Sequence, residues 1–337
     1  MRTMRSMLKI EYNGVKATDI IANDSDSFTW KDNAGGEADT LTINLSNIGQ
    51  KWMNGFFPSD RDVLKAWIKL EEWAADYRQG ELFCGTFKVD SLRFTGKPEK
   101  LQLSAISVPI NVDFNVRQKN RTWESTTLRS ILKDIAGNAG IQFVYDAQDF
   151  PIKSTNQNKK TDLAFAYSLC SDYGLAVKLY NDKLVVYDKM IYEKKASSYT
   201  IDYKEVQGQG TYTIASNVAG LYDSIKVQYT DSNGKTMTYE YTVPGKTGCR
   251  QMFLPTKAES YGDAERKGKA ALRENLRQAK TVTLKLMGSA KYIASQCFDL
   301  TGFGKLDGKY FIDSVTHDKS GGKYICTLVA HQAVTEF

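Results

Sequence analysis

The sequence predicts a mainly β protein of the α+β class, and three observations carry this prediction. The 337 residues include 19 Tyr and 15 Phe but only 6 Pro, a balance that favours sheets, where aromatic residues are enriched and proline is rare. Long parts of the chain alternate apolar and polar residues, as strands with one packed face do. Helical spacing of apolar residues is confined to the middle of the chain and to one later segment.

The first hundred residues predict a succession of strands joined by tight turns. Apolar residues alternate in five runs, over 8–12, 41–45, 64–70, 82–89 and 101–106. Asn13-Gly14, Gly35-Gly36 and Gly96-Lys97-Pro98 stand between runs and are typical turn sequences. Trp67 and Trp73 fall on the opposite face of the third run. Strands with one packed face are typical of a sandwich or a barrel.

The middle of the chain predicts a small α/β module built from two helix–glycine–strand units. The first helix has its apolar residues at helical spacing: Leu128, Ile131, Leu132, Ile135, Ala136 and Ala139. Gly140 and a strand over 141–145 follow it. The second helix begins after Thr161, a good N-cap, and stops at Gly174 before a hairpin over 175–187. The polar stretch 147–160 between the units is predicted to be a surface loop.

The last part of the chain predicts strands again, interrupted by one long helix. Alternating runs at 225–229 and 237–243 flank a turn at 231–234, and four more runs end the chain, at 282–286, 297–301, 310–315 and 324–329. The helix is predicted over 256–280, with Thr256 and Glu259 as a capping box. Its acidic residues come early and its basic residues late, which suits the helix dipole.

Composition excludes several classes of protein. The length predicts two or three domains. Subtracting 39 acidic from 45 basic residues leaves +6, which is small for a dedicated nucleic-acid binder. Two His residues nearly exclude a multi-His metal site. Five scattered Cys without a C-x-x-C motif are typical of buried free thiols in a reducing compartment. No apolar run is long enough to span a membrane, and residues 1–10 lack the apolar region of a secretory signal.

Candidate catalytic and binding motifs are weak. Gly245-Lys246-Thr247 lacks the first glycine of a phosphate loop, since that position is Glu240, and Gly302-Phe303-Gly304 is interpreted as a turn. His317 beside Asp318 could form a His–Asp pair, but a surface position at a strand end is the favoured interpretation, and neither His317 nor His331 accompanies a nucleophile motif. The neighbouring carboxylates Glu71 and Glu72 point to opposite faces of a strand and cannot converge.

The long helix has a basic face, whose role can be interpreted in two ways. Its members are Arg266, Lys267, Lys269, Arg273 and Arg277. Contact with an acidic partner surface or with nucleic acid is one interpretation. A solvated face, supported by i, i+4 pairs such as Glu265–Lys269, is the favoured one. We therefore predict no catalytic residue, no cofactor-binding residue and no metal ligand from the residues alone.

Two stretches resemble a known family. Residues 159–175 have a polar lead and a helix that ends in Tyr173-Gly174-Leu175, and the hairpin after them carries Leu184-Val185-Val186-Tyr187-Asp188. This pattern resembles the phage late control gene D family, the baseplate hub proteins of contractile tails, which includes the hub part of VgrG-type spikes. The C-terminal third, from the helix 264–276 through the strands at 281–284, 300–317 and 321–328, resembles the closing barrel of that family, and 123–140 resembles its first helix. The resemblance covers roughly the last two thirds of the chain, and the first third matches only in being β-rich.

The resemblance implies a fold and a structural role. Hubs of this family have two tail-tube-like β-barrel domains with a small α/β insertion domain between them. Trimerisation makes the ring of barrels pseudo-sixfold and joins a sixfold tail tube to a threefold spike. For this chain it implies a first barrel domain at 1–112, an α/β domain at 113–190 and a second barrel domain with the long helix at 191–337. No spike repeat follows Phe337, so the spike is expected to be a separate polypeptide.

The same resemblance implies the partners. It predicts a homotrimer in contact with the tail tube protein, the central spike protein, baseplate wedge proteins and the tape measure protein. No cofactor, specific nucleic acid or membrane span is expected. The location is a virion or tail-like particle assembled in the host bacterial cytoplasm. The alternatives are a tail-associated peptidoglycan hydrolase, for which no catalytic set is evident, and a nucleic-acid-binding protein that uses the basic helix.

Overall fold

A computed structural model of the chain describes residues 5–17, 21, 24–59, 62–74, 77–109, 112–230, 234–335 and 337. The strands of the first third are β1 (Arg5–Tyr12), β2 (Val15–Lys16), β3 (Ser25–Asn33), β4 (Thr40–Ser46), β5 (Val63–Ala74), β6 (Tyr77–Thr95) and β7 (Lys100–Ile106). All five predicted runs lie on strands, and β3 is an additional one. Asn13 and Gly14 form the β1–β2 turn with positive φ at both residues. The side chain of Trp73 lies outside the described residues.

The middle of the chain holds the predicted α/β module. Its elements are α1 (Val112–Asn115), β8 (Lys119–Thr127), α2 (Leu128–Ala139), β9 (Gln142–Asp146), β10 (Pro151–Lys160), α3 (Asp162–Asp172), β11 (Leu175–Tyr180), β12 (Lys183–Asp188) and α4 (Lys189–Lys194). The apolar face of α2 is buried, and Thr161 caps α3 by accepting from the Ala164 N–H. The predicted loop at 147–160 is wrong over 151–160, where the chain forms β10 and pairs with β8. The sequence of β10 is polar and does not alternate, so it gave no sign of a strand.

The last part of the chain returns to strands. Its elements are β13 (Thr200–Asp202), α5 (Tyr203–Gln209), β14 (Thr211–Ser216), β15 (Ser224–Thr230), β16 (Thr236–Thr242), β17 (Gln251–Leu254), α6 (Tyr261–Arg277), β18 (Lys280–Met287), β19 (Cys297–Thr301), β20 (Gly308–Ser320) and β21 (Lys323–Gln332). All the predicted strands are present. Of the predicted turn at 231–234, residues 231–233 lie outside the described residues.

The long helix is shorter than predicted and has a different cap. It spans 261–277, and Ser260, not Thr256, accepts from the Asp263 N–H as N-cap. Asp263 in turn accepts from the Glu259 N–H, 3.0 Å away. The box therefore lies four residues later than the sequence suggested. Glu259 is not free to serve in it, because its carboxylate accepts from the backbone N–H groups of Lys153 and Ser154 on β10.

Thirteen strands, from both ends of the chain, form one sheet. Its order is β14-β18-β21-β20-β3-β4-β7-β6-β5-β1-β2, with β19 paired to β20 and β13 paired to β19. The two β regions meet where β20 pairs antiparallel with β3. One hydrophobic core serves both regions, from Leu8 on β1 to Ala330 on β21. The predicted fold class, mainly β with an α/β module in the middle, is confirmed.

Two smaller cores lie beside the large one. The α/β module buries α2, α3 and its three-stranded sheet around Ile131, Phe165 and Val186. The helix α6 packs on the separate sheet β16-β15-β17, with Ala264 and Leu272 against Ile225 and Val227. We call this second unit, residues 217–279, the helix module. The division of the chain at 112 and 190 stays a prediction.

The large sheet has two unlike ends. One end, which we call the module end, is where β3 ends and β4 begins. The α/β module follows β7 and the helix module follows β14, and both strands end there. At the other end, which we call the open end, β3 begins and β4 finishes, with Ser46 opposite Lys100 and Ser27 opposite Ser320.

Candidate assembly interface

His317 lies in the core, not on the surface. It stands within β20, wholly buried, with its ring stacked on Trp30 at 4.7 Å. The Tyr292 carbonyl oxygen, 3.1 Å from Nε2, can only accept, so Nε2 carries the proton and Nδ1 accepts from the Tyr324 hydroxyl at 2.7 Å. Burial lowers the pKa of His317 to about 4. The predicted surface position is wrong, because β20 continues to Ser320 and alternation turns this side chain inward.

Asp318 does not pair with His317. Neighbouring residues on a strand face opposite sides, and Asp318 accepts a hydrogen bond from the Thr29 hydroxyl at 2.8 Å on the other face of the sheet. A His–Asp dyad is therefore absent at this position. Since the ring is stacked and both of its nitrogens are engaged, His317 contributes to the packing of the core.

His331 belongs to a buried ionic cluster at the module end. Its Nδ1 lies 2.8 Å from Asp313, and its Nε2 lies 3.5 Å from Glu193. Arg277 meets the same Glu193 oxygen with Nε at 2.6 Å and Nη2 at 2.5 Å. Burial works against the charged imidazole, but the hydrogen bonds to Asp313 and Glu193 outweigh it and raise the pKa of His331. Four elements, α4, α6, β20 and β21, are held together here, and we call this group the Glu193 cluster.

The Glu193 carboxylate is charged despite complete burial of its side chain. Burial favours the neutral acid, but His331 and Arg277 hold the pKa of Glu193 below its usual range. Its second oxygen accepts from the Val334 N–H at 2.9 Å. A cleft of about 280 Å³ borders the cluster and is lined in part by Arg277, His331 and Asp313. The carboxylate is thus a structural anion whose hydrogen bonds are satisfied inside the protein.

A second buried cluster fixes the α/β module to the large sheet. Lys178 on β11 pairs with Asp32 on β3 and lies 3.4 Å from Asp39. It also donates to the Asn33 carbonyl oxygen at 2.6 Å, while the Ala294 N–H donates to Asp32 at 2.8 Å. Burial raises the pKa of Asp39 to about 7, against the attraction of Lys178. Two carboxylates therefore share one ammonium at this contact.

The basic face of α6 is not the solvated face that the sequence suggested. Arg273 and Arg277 are buried, and Lys267 pairs with Asp263 at 3.0 Å over the ring of Tyr173. The face is covered by the α/β module, whose Gly174 has φ 72°. A Cβ there would stand 3.2 Å from the Ala270 side chain, so glycine permits both the turn and the close approach.

One part of that interpretation is confirmed. Lys269 and Glu265 form the predicted i, i+4 pair at 2.8 Å on the exposed side of the helix. The rest of the face could not be recognised from spacing alone, because its partners lie about a hundred residues away. The cations that looked available for nucleic acid are largely used inside the protein.

The other candidate motifs form loops, turns and surface ion pairs. Gly245-Lys246-Thr247 is a loop after β16, and the Gly302-Phe303 turn is closed by Asp307, which accepts from both N–H groups. The Glu71 side chain pairs with Lys69 at 2.7 Å, and that of Glu72 lies outside the described residues. Within the part of the chain that the structure describes, no cluster of His, Cys, Asp and Glu side chains could hold a metal ion.

The cysteines are free, and four of the five are buried. These are Cys84, Cys170, Cys297 and Cys326. Cys249 is exposed, so the prediction that all five are buried is wrong for that residue. None of the described helices has both the length and the apolar character needed to cross a membrane.

One free strand edge is suited to pairing with another chain. β14 is the last strand of the large sheet and pairs with β18 alone among the described strands. Its sequence, 211–216, contains no charge and no proline, the usual devices that protect an edge. Tyr203, Tyr212 and Phe303 form a ring cluster beside it, with centroids 5.1–6.0 Å apart. The turn at Phe303 is recognisable in the sequence, but the edge of β14 is not, because a strand edge is defined by which strands are neighbours.

Comparison with solved structures gives whole-length matches to phage tail proteins. A tail protein of Neisseria meningitidis matches with a TM-score of 0.72 and 13% identity, over 97% of this chain and 96% of that one. The 43 kDa tail protein of prophage MuSo2 from Shewanella oneidensis matches with a TM-score of 0.72 and 9% identity, over 98% and 99%. An Escherichia coli type VI secretion component matches with a TM-score of 0.59 and 12% identity, over 93% and 75%.

At this level of identity the matches establish the fold. The chain has the fold of phage tail proteins, which agrees with the resemblance found in its sequence. No family model matches the sequence, and no curated protein is significantly similar to it in sequence.

Proposed function

We propose that this chain is the structural baseplate hub of a contractile phage tail or of a phage-tail-like particle such as a bacteriocin. The observation that carries the proposal is the match, over 97% and 98% of this chain, to two proteins of which one is described as a tail protein and the other as a prophage tail protein. The type VI secretion component adds to it, since its description notes structural similarity to the T4 tail proteins gp27 and gp5. These matches support the role of a structural component of a tail.

The finer proposal is a trimeric ring that joins a sixfold tail tube to a threefold central spike. The free edge of β14 supports it, because an unprotected strand that carries the exposed ring of Tyr212 is a typical site for strand pairing between chains. The proposed partners are the tail tube protein, the spike protein, baseplate wedge proteins and the tape measure protein. The proposed location is the baseplate of a particle assembled in the bacterial cytoplasm.

A non-enzymatic role fits the positions of the two histidines. A hydrolase needs a base that reaches substrate, and His317 is wholly enclosed while the nitrogens of His331 face Asp313 and Glu193. The cleft beside the Glu193 cluster, which His331 and Asp313 help to line, is a feature that favours the alternative, a tail-associated peptidoglycan hydrolase. A zymogram on peptidoglycan separates the two functions, and clearing would favour the hydrolase.

The hub proposal is tested by mass and by location. The purified protein should have the mass of a trimer in light scattering at high concentration. Antibody labelling or cryo-microscopy of purified tails should place it at the baseplate, between the tube and the spike. A protein that stays monomeric and is absent from purified tails would refute the proposal.

A further inference from the structure

The open end of the large sheet carries an apolar knob, which we define as residues 47–57 between β4 and β5. Ile48 is 81% exposed, Phe57 57%, Phe56 52% and Met53 42%. Four large apolar side chains within ten residues make a patch of the kind that marks an interaction site on a soluble protein. Single exposed apolar residues occur on any surface, but a cluster of this size needs an explanation.

The knob is anchored to the sheet by a buried side chain and by hydrogen bonds. Trp52 is buried, and its backbone N–H donates to the Asn47 side chain at 3.0 Å. The Asn47 N–H donates to the carbonyl oxygen of Glu99 in the β6–β7 turn at 2.9 Å. Phe57 stacks near Phe94 of β6 with centroids 6.0 Å apart. Since Trp52 and these bonds anchor the segment, the exposed rings are presented to solvent on a fixed support.

The charges around the knob are mainly positive. Arg93, Lys97 and Lys323 are exposed at this end and form no ion pair with the described residues. Two of the acids nearby are engaged, since Asp24 pairs with Lys51 and Asp26 pairs with Lys100 at 2.9 Å, and Glu99 leaves one carboxylate against the three cations. The open end thus combines an apolar centre with an excess of positive charge.

We propose that the open end docks onto a different protein, whose surface offers apolar pockets for Phe56 and Phe57 with carboxylates around them. A second copy of this chain is disfavoured, because a face-to-face contact would bring Lys97 against the same cations of its partner. The inference rests on the proposed function. Within it, the partner is the neighbouring component of the particle at the end of the sheet away from both modules.

The test compares the variant Phe56→Ser/Phe57→Ser with the matched control Phe253→Ser/Tyr261→Ser. The control rings, on the helix module, are 55% and 56% exposed, so both variants lose similar apolar surface. Purified wild-type protein and both variants are titrated with the purified tube protein and spike protein of the same particle, and their mass in solution is measured.

The knob variant should keep the wild-type mass and lose affinity for one of the two partners by about tenfold or more, with the other unchanged. That same wild-type affinity should fall between about 50 mM and about 500 mM salt and should weaken in Lys97→Glu. The control variant should bind as wild type does.

Unchanged binding of the knob variant to both partners, or a loss of self-association instead, would overturn the inference. That result differs from failure of the hub proposal, in which wild-type protein is missing from purified particles and binds neither partner.

Discussion

The interior of the large sheet and the junction at its module end use different forces. In the sheet, alternating apolar side chains exclude water, and the imidazole of His317 is neutral and stacked on Trp30. At the junction, charged groups are buried in the Glu193 cluster and around Lys178. Apolar burial stabilises in proportion to area and has no direction, whereas a buried ion pair stabilises only when its geometry is complete. The sheet therefore supplies stability, and the junction fixes the orientation of the modules.

The largest expected effect lies in the sheet. Trp30→Ala should lower the free energy of unfolding by about 3–5 kcal/mol, because it removes a buried ring and leaves a cavity beside His317. Denaturant titration measures it. Trp67→Ala is the control on a partly exposed ring of the same sheet and should cost clearly less. If both variants lost the same free energy of unfolding, burial of the ring would not determine the size of the loss.

The junction should break when one partner of its ion pair is removed. Arg277→Met should cost about 3 kcal/mol, at the lower end for a broken buried pair, because His331 and the Val334 N–H still face the Glu193 carboxylate. Adding Glu193→Gln should recover part of that loss, since no uncompensated charge then stays buried. A double variant whose loss equals the sum of the two single losses would contradict this account.

The two histidines should give opposite dependences of stability on pH. The pKa of His317 is lowered, so its contribution is complete above about 6.5 and is lost as pH falls toward 4. Between pH 7 and pH 5 this amounts to about 2 kcal/mol. The pKa of His331 is raised, so its contribution is present at acid pH and is lost as pH rises through the folded-state value.

Unfolding titrations across this range measure the slope in wild type, His317→Gln and His331→Gln. His317→Gln should flatten the loss between pH 7 and pH 5, whereas His331→Gln should deepen it, because the contribution of His331 grows as pH falls and opposes that loss in the wild-type protein. An unchanged slope in His317→Gln would assign the loss to other groups.

The smallest effect should come from an exposed pair on the same helix as Arg277. Lys269→Ala removes the pair with Glu265, whose side chains are 32% and 40% exposed, and should cost less than about 0.5 kcal/mol. Thermal unfolding at low and high salt measures it. A loss comparable to that of Arg277→Met would mean that burial does not separate the two kinds of pair.

Local patterns predicted most of the elements correctly. The strands around Leu41, Leu64 and Leu284 follow from alternation, and the face of α2 follows from helical spacing. The cap of α6 was misplaced by four residues because Thr256 and Ser260 both begin an acceptable box, and the choice depends on Glu259 binding β10. β10 itself was missed, because its polar sequence carries no alternation and its pairing with β8 is a tertiary contact.

The candidate site was less accessible from the sequence than the fold. Nothing local marks the edge of β14 or the knob around Phe56, since exposure is decided by which strands and turns are neighbours. The aromatic content that suggested sheets does not distinguish rings that pack from rings that stay exposed.

By itself the sequence determined the class of this protein: a β-rich chain with an α/β module in its middle and one long amphipathic helix. It did so because alternation and helical spacing act over a few residues. Only the tertiary structure decided that β3 and β20 join both regions in one sheet, and that Arg277 meets Glu193, 84 residues away. The physical reason is that buried charges and strand edges depend on neighbours that the fold brings together from distant parts of the chain.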